Sequence, residues 1–425
     1  MENKCCELFR SIKNTAMAVY RTRLPIDTAA PAFSRLTYSD PVFSQAYAEC
    51  KRVRPAAPGL VEFIHQTLAH PDFYLLADRP DKLDPMIMTT NGGMRLSGFH
   101  IVFSVFGAAF RNIYLLGLPD NEDSYVAAVI HGFEELRKAL AGQPVKGLKI
   151  AGLAKISLAP GTELNTPWGL IKPAPGVQNN HYIPEFGFPV AEALLVTPEP
   201  VQVMFDRAAS LASINTSPSD TDISAAFLFP LSFAIASKDE NCPAVPVTIL
   251  RTQLLPFIAS FGLAMPIVGP VLGPSVNIDN SLENYNHWAN LIFNNHSHQL
   301  DIAAKRLVSA VAHRLEKADS LIDAVMAWEN MFGTEQEVSF RVSAALAKLM
   351  SKSPQERRNL QKTLSDAYGI RSRLVHGAQV DPRKVEQACS TAISAGVLAL
   401  RQIYSLGLDW TSMSSVSRSN EILLS

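Results

Sequence analysis

The sequence predicts an α+β protein: a mixed α/β, strand- and turn-rich region over residues 1–295, an all-α helical bundle over residues 296–410, and a flexible tail over residues 411–425. Three observations lead there. Sixteen of the 28 prolines lie between Pro160 and Pro274, and only Pro354 and Pro382 follow. Proline disturbs helix interiors and central strands alike, so the middle of the chain reads as short strands and turns. Beyond the polar, asparagine-rich stretch Asn277–His298, apolar residues recur at helical spacing to about residue 405. Finally, 47% apolar and 18% charged residues over 425 positions describe a core-building chain of two or three domains.

In the first region "GLVEFIHQTLA" and "SYVAAVIHGFEELRKALAG" carry helical spacing, whereas "GFHIVFSVFG", "AAFLFPLSFAIAS" and "AVPVTILR" read as buried or half-buried strands. The uncharged run Leu254–Gly273 is long enough to cross a bilayer, but Pro256, Pro266 and Pro270 interrupt it. It reads as buried strands and turns, and no membrane partner is expected.

The bundle opens with "LDIAAKRLVSAVAHRL", which places Leu300, Ala303, Leu307, Val311 and Leu315 on one stripe. In the next helix Leu321, Ile322, Val325, Met326 and Phe332 face inward, and Gly333 stops it. Thr334-Glu335-Gln336-Glu337 fits a capping box for a third helix that buries Val338, Val342, Ala345, Leu346 and Leu349. Ser353-Pro354-Gln355-Glu356 fits another, with proline at the first helical position. That fourth helix runs to His376 and Gly377, glycine taking the left-handed terminal position. A fifth, from about Asp381 to Ser405, keeps Val385, Cys389, Ile393, Leu400 and Tyr404 in register.

Chemistry-bearing residues concentrate at the end of the fourth helix. At ~100° per residue, Arg371 and His376 project about 140° apart, so two copies of the bundle would most easily bring an arginine and a histidine into one cleft. A histidine in a last helical turn feels the negative end of the helix dipole and suits proton transfer near neutrality. Arginine is a natural phosphate clamp. Together they could cut RNA without metal, histidine moving protons and arginine steadying the phosphorane. Arg373, Arg383 and Lys384 add positive charge to a chain whose net charge is −1. Glu329 falls on the apolar stripe of its helix, and a buried carboxylate there needs a partner: Arg371, another cation or a helix end.

From about Leu300 to Leu406 the chain resembles the Apea-like HEPN family. The segments that carry the resemblance are "DSLIDAVMAWENMFG", "EVSFRVSAALAKLM" and "LSDAYGIRSRLVHG", in that order. The resemblance implies a HEPN-type helical bundle, with Arg371 and His376 at the catalytic positions of a metal-independent endoribonuclease that needs no cofactor. It also implies a homodimer with the site at its interface, RNA as substrate, and a role in antiphage, abortive-infection or toxin–antitoxin systems. A phage-derived trigger or an antitoxin are the further partners this implies. Active members commonly carry Asn, Asp or His after the arginine, where this chain has Ser372. The region before the bundle carries no resemblance and is expected to restrain or trigger it.

Other signals are weaker. Cys5, Cys6, Cys50, Cys242 and Cys389 have no metal-ligand spacing and fit a reducing, cytoplasmic setting. His296 and His298 could bind metal, yet no carboxylate or cysteine stands at ligand spacing, so no metal site is expected. Trp168 and Tyr182 could stack on bases, but isolated aromatics more often fill a small core. The alternative function is an inactive HEPN module for dimerisation or RNA binding.

Overall fold

A computed structural model describes residues 2–22, 59–77, 86–89, 92–115, 118–119, 121–153, 155–173, 192–206, 220–237, 250–258, 261–266 and 276–424. Tyr182 and much of Leu254–Gly273 lie outside these residues. The chain is mixed α+β, and no described helix is long and apolar enough to cross a membrane.

Four helices gather at the amino-terminal end: α1 (Glu2–Thr22), α2 (Leu60–Leu68), α3 (Gly98–Leu115) and α4 (Glu122–Leu140). They close on edge-to-face rings, Phe63, Phe73 and Phe106 each 5.7–6.1 Å from Phe133. Helix α3 contains "GFHIVFSVFG", expected to be a strand. Its continuous apolar run has no period by which a buried strand and a buried helix can be told apart.

Strands β1 (Met86–Thr89) and β2 (Gly92–Arg95) pair antiparallel. A six-stranded antiparallel sheet then forms the middle of the chain, built on β3 (Val145–Leu153), with β4 (Ile156–Ser157) just outside it. Beside β3 lies β7 (Ala193–Val201), and β5 (Leu164–Thr166) and β6 (Gly169–Pro173) extend the sheet on that side. Nine residues of β7 pair with β3 although it carries Pro198 and Pro200. Both prolines fall beyond Val196, the last β7 residue paired with Gly169–Pro173 in that direction, so their missing N–H groups interrupt no ladder on that side. Beyond β7, β8 (Met204–Asp206) joins β1, while β9 (Leu250–Leu254) and β10 (Phe261–Pro266) complete the sheet on the far side of β3.

Helix α5 (Asp220–Ala236) is the second apolar run expected to be a strand. It is buried from Phe227 to its end and tolerates Pro230 in its interior. One core runs without a break from Leu153, Trp168, Ile171 and Leu195 of the sheet region, through α5, into the helices that follow. The boundary expected near residue 295 is therefore no break in packing.

From Leu282 onward every regular element is helical: α6 (Leu282–Asn295), α7 (Asp301–Val308), α8 (Lys317–Phe332), α9 (Val338–Met350), α10 (Pro354–Val375), α11 (Pro382–Ser405), α12 (Leu408–Ser412) and α13 (Ser415–Leu424). Leu315, expected inside, is 65% exposed. Helix α7 passes into a π-helical turn at Ser309–His313, and Arg314 is extended, which takes Leu315 off the stripe. The first capping box also fails: Thr334 Oγ1 donates to the Gln336 carbonyl, and α9 starts from Glu337 in a left-handed conformation. The second forms as expected, Ser353 and Glu356 bonding reciprocally.

Buried polar groups fix the packing. Asp323, 2% exposed, accepts from Arg306, Arg314 and Ser309; burial opposes its charge, but these bonds outweigh it and hold its pKa below the ordinary value. Both ring nitrogens of His296 are engaged, by the Tyr404 hydroxyl at 2.7 Å and Asp301 at 2.8 Å, which leaves neither for a metal. Arg401 on α11 donates to the carbonyls of Ile235 and Ser237 at the end of α5 and lies 5.6 Å from the Trp288 ring.

The tail corrects the expectation of flexibility. Arg418 of α13 is fully buried and donates to the carbonyls of Met331, Trp410, Thr411 and Met413. Burial pulls its pKa down to about 10, so it stays charged at neutral pH. Met331 lies in the last turn of α8, so this one side chain holds the carboxy-terminal helices against the helix that carries Glu329. Replacing it strands several buried carbonyls at once. Arg418→Met should lower stability in urea denaturation by about 3 kcal/mol. Arg383→Met, at an exposed position, should leave it unchanged.

Candidate functional site

Helix α10 carries most of the expected site, and its two ends are built for accuracy. The capping box and Pro354 fix the start. At the other end Gly377 has φ +77°, the Gly377 N–H donates to the Leu374 carbonyl at 3.0 Å and the Ala378 N–H to the Arg373 carbonyl at 2.9 Å. This is a Schellman closure with His376 as the capping residue. The imidazole therefore sits at the carboxy-terminal rim of α10, exposed, with no hydrogen bond to another described residue.

Arg371, five residues earlier, points the other way. Its Nη2 lies 3.4 Å from Glu329 Oε2 on α8. The second carboxylate oxygen accepts from the Tyr368 hydroxyl at 2.5 Å, and the Arg371 guanidinium lies 5.9 Å from the Tyr368 ring. Glu329 is half-buried, as its place on the apolar stripe implies, and its side chain is 27% exposed against 20% for Arg371. The Nε of Arg371 is buried with no hydrogen-bond partner, so the fork is not fully used.

Gly333 fixes the turn beneath Glu329. Its N–H donates to the Glu329 carbonyl at 2.7 Å, and a Cβ at this position would sit 2.3 Å from that oxygen. The helix stops there as expected, but with Gly333 extended rather than left-handed.

The structure thus brings Arg371 to Glu329, and does not bring Arg371 to His376 within one chain. Ser372 is half-buried beside them, and Arg373 is exposed on the side of His376. Arg383 and Lys384 are exposed on the first turn of α11, whose amino end is capped by Asp381. No family model, curated protein or solved structure matches this chain. What the site can do is argued from its own geometry.

Tyr368 belongs to the segment that carries the resemblance but the sequence reading gives it no role at the site, although it stands one turn before Arg371, the spacing at which helix side chains meet. Burial, with the hydrogen bond to Glu329 and that carboxylate's charge added, pushes the phenol up to about 12. The folded state thus favours the protonated phenol. Its contribution to stability is complete below the ordinary value of 10 and is lost as pH rises through 12. Spectrophotometric titration should show a late-titrating tyrosine that disappears in Tyr368→Phe. In Glu329→Gln that titration should move down, because the carboxylate's charge is gone even though the amide oxygen can still accept the hydroxyl.

Proposed function

We propose that residues from about 300 to 406 form a HEPN-type bundle and that the chain is a metal-independent endoribonuclease, active as a homodimer. His376 of one copy moves the proton at the 2′-oxygen or the leaving oxygen. Arg371 of the other copy steadies the charge on the phosphorane. What supports this reading is the way Arg371 is held: a half-buried carboxylate, itself bonded by a phenol, orients its fork while the side chain keeps 20% of its surface open. Arginines held in this manner are poised to take a second anion. Glu329 and Tyr368 act here as positioning residues, while Ser372, Arg373, Arg383 and Lys384 line the approach. The biology implied by the resemblance is an antiphage, abortive-infection or toxin-type effector in the cytoplasm, with a phage-derived trigger or an antitoxin as its regulator.

A second reading is favoured by one observation. Arg371 and His376 diverge by about 140° on a single helix, and a chain whose copies do not bring the arginine of one to the histidine of the other would have no two-residue site. It would then be a non-cleaving module for dimerisation or RNA binding.

Cleavage of total cellular RNA in the presence of EDTA separates the two. Wild type should cleave, and Arg371→Ala and His376→Ala should each lose at least about a hundredfold in rate, the usual worth of a general acid–base or charge-stabilising group. Glu329→Gln should keep the fold by circular dichroism and lose cleavage. RNA binding without cleavage by any of them, wild type included, selects the second reading.

A further inference from the structure

The face of α10 that ends at His376 carries three exposed cations, and on it Ser365 donates to the Ser343 hydroxyl of α9 at 3.0 Å. At ~100° per residue, Arg358, Lys362, Gly369 and Arg373 all fall within about 60° of His376. The three cations are exposed, and none is paired with a carboxylate among the described residues. Several arginines of the other helices are engaged: Arg306 and Arg314 on Asp323, Arg401 and Arg418 on buried carbonyls. Asp366, the acid of α10 nearest this face, stands about 80° round from His376, at its edge. From Arg358 to His376 the row is about 27 Å long at 1.5 Å per residue.

Gly369 sits in the middle of this row, and nothing in the fold explains it. Beyond its own turn of helix, no described residue places an atom within 4 Å of where its Cβ would be, and its φ is not in the left-handed region. Glycine is the poorest helix former after proline, so an open mid-helix position favours almost any other residue. A glycine there makes sense if something outside the chain comes close to the helix backbone at that point.

We propose that this outer face of α10 is a track for the sugar–phosphate backbone of a single RNA strand, which passes closest at Gly369 and reaches His376 at its end. The inference rests on the ribonuclease reading for the identity of the strand. Charge decides between a strand and a second copy of the chain: two such faces, each carrying Arg358 (bonded to the neutral Gln355 side chain at 3.2 Å), Lys362 and Arg373 with no carboxylate partner among the described residues, repel one another, whereas a phosphodiester backbone complements them. The contact between copies then lies at the carboxy-terminal rim of α10, and the row leads the strand toward it.

The test measures binding of a labelled single-stranded RNA to the full-length His376→Ala protein over a series of salt concentrations. Combined Arg358→Glu and Lys362→Glu should weaken binding at least about tenfold and flatten the salt slope by about 1.4, two phosphate contacts at ~0.7 each. Gly369→Ala should raise the melting temperature, since the helix gains and nothing clashes, and yet weaken RNA binding several-fold; Gly369→Leu should weaken it further. Unchanged RNA affinity in these variants overturns the track. So does a changed oligomeric state in Gly369→Leu at unchanged affinity, which would make the face a contact between copies. Weakened binding by the variants, with no cleavage by wild type, sinks the ribonuclease reading and leaves the track standing. Cleavage that depends on Arg371 and His376, with variant binding unchanged, sinks the track alone.

Discussion

Five residues on a helix are not a whole number of turns, and the consequences of that fact organise the site. Arg371 and His376 cannot share a face of α10. The chain resolves the conflict by giving each its own environment. Glu329, with Tyr368 on its other oxygen, draws the guanidinium inward against α8. The Schellman turn at Gly377 ends the helix so that the imidazole stands at the outer rim. Each group is placed well, and they are placed apart. On the ribonuclease reading a second copy is a geometric requirement for assembling the pair.

The scaffold behind the site is one packed body from the sheet to the last helix. Helix α5 fills the space between the sheet and the bundle, and Arg401 binds its final carbonyls from α11. Helix α11 packs on α8 as well, with the Trp328 indole donating to the Ala392 carbonyl at 3.0 Å, so an unbroken run of contacts joins α5 to the helix bearing Glu329. A cut at Asn277 would bare the side of the bundle that α5 covers. The region before the bundle and the bundle itself thus share a core and are not joined by a hinge.

Much of this was legible where a local signal is also the structural cause. Ser353 through Glu356 spell a capping box and make one, and the stripes of α8, α9 and α11 bury most of the residues their spacing selects, while Ile322, Met326, Val338, Leu349 and Ile393 stay half-buried at the edges. Glu329 was legible as a carboxylate on an apolar stripe in need of a partner. Illegible parts have causes beyond their own segment. The all-apolar runs of α3 and α5 have no period, so only the surfaces around them decide between helix and strand. Pro198 and Pro200 lie in a nine-residue strand because its neighbour stops short of them, which no local pattern records. The serine-rich end of the chain reads as a tail, yet Arg418 finds four carbonyls on other segments and orders it. Tyr368 was visible only as a neighbour of Arg371, and its role depends on a carboxylate 39 residues away in sequence.

The central claim is that the arginine of one copy works with the histidine of another. Complementation tests it most directly: purified Arg371→Ala and His376→Ala proteins, each inactive, are mixed under conditions in which subunits exchange. A composite site predicts that cleavage returns, to about a quarter of the wild-type level, because half of the random dimers are mixed and each mixed dimer has one intact site of two. No recovery, with subunit exchange demonstrated in the same sample, would contradict the account.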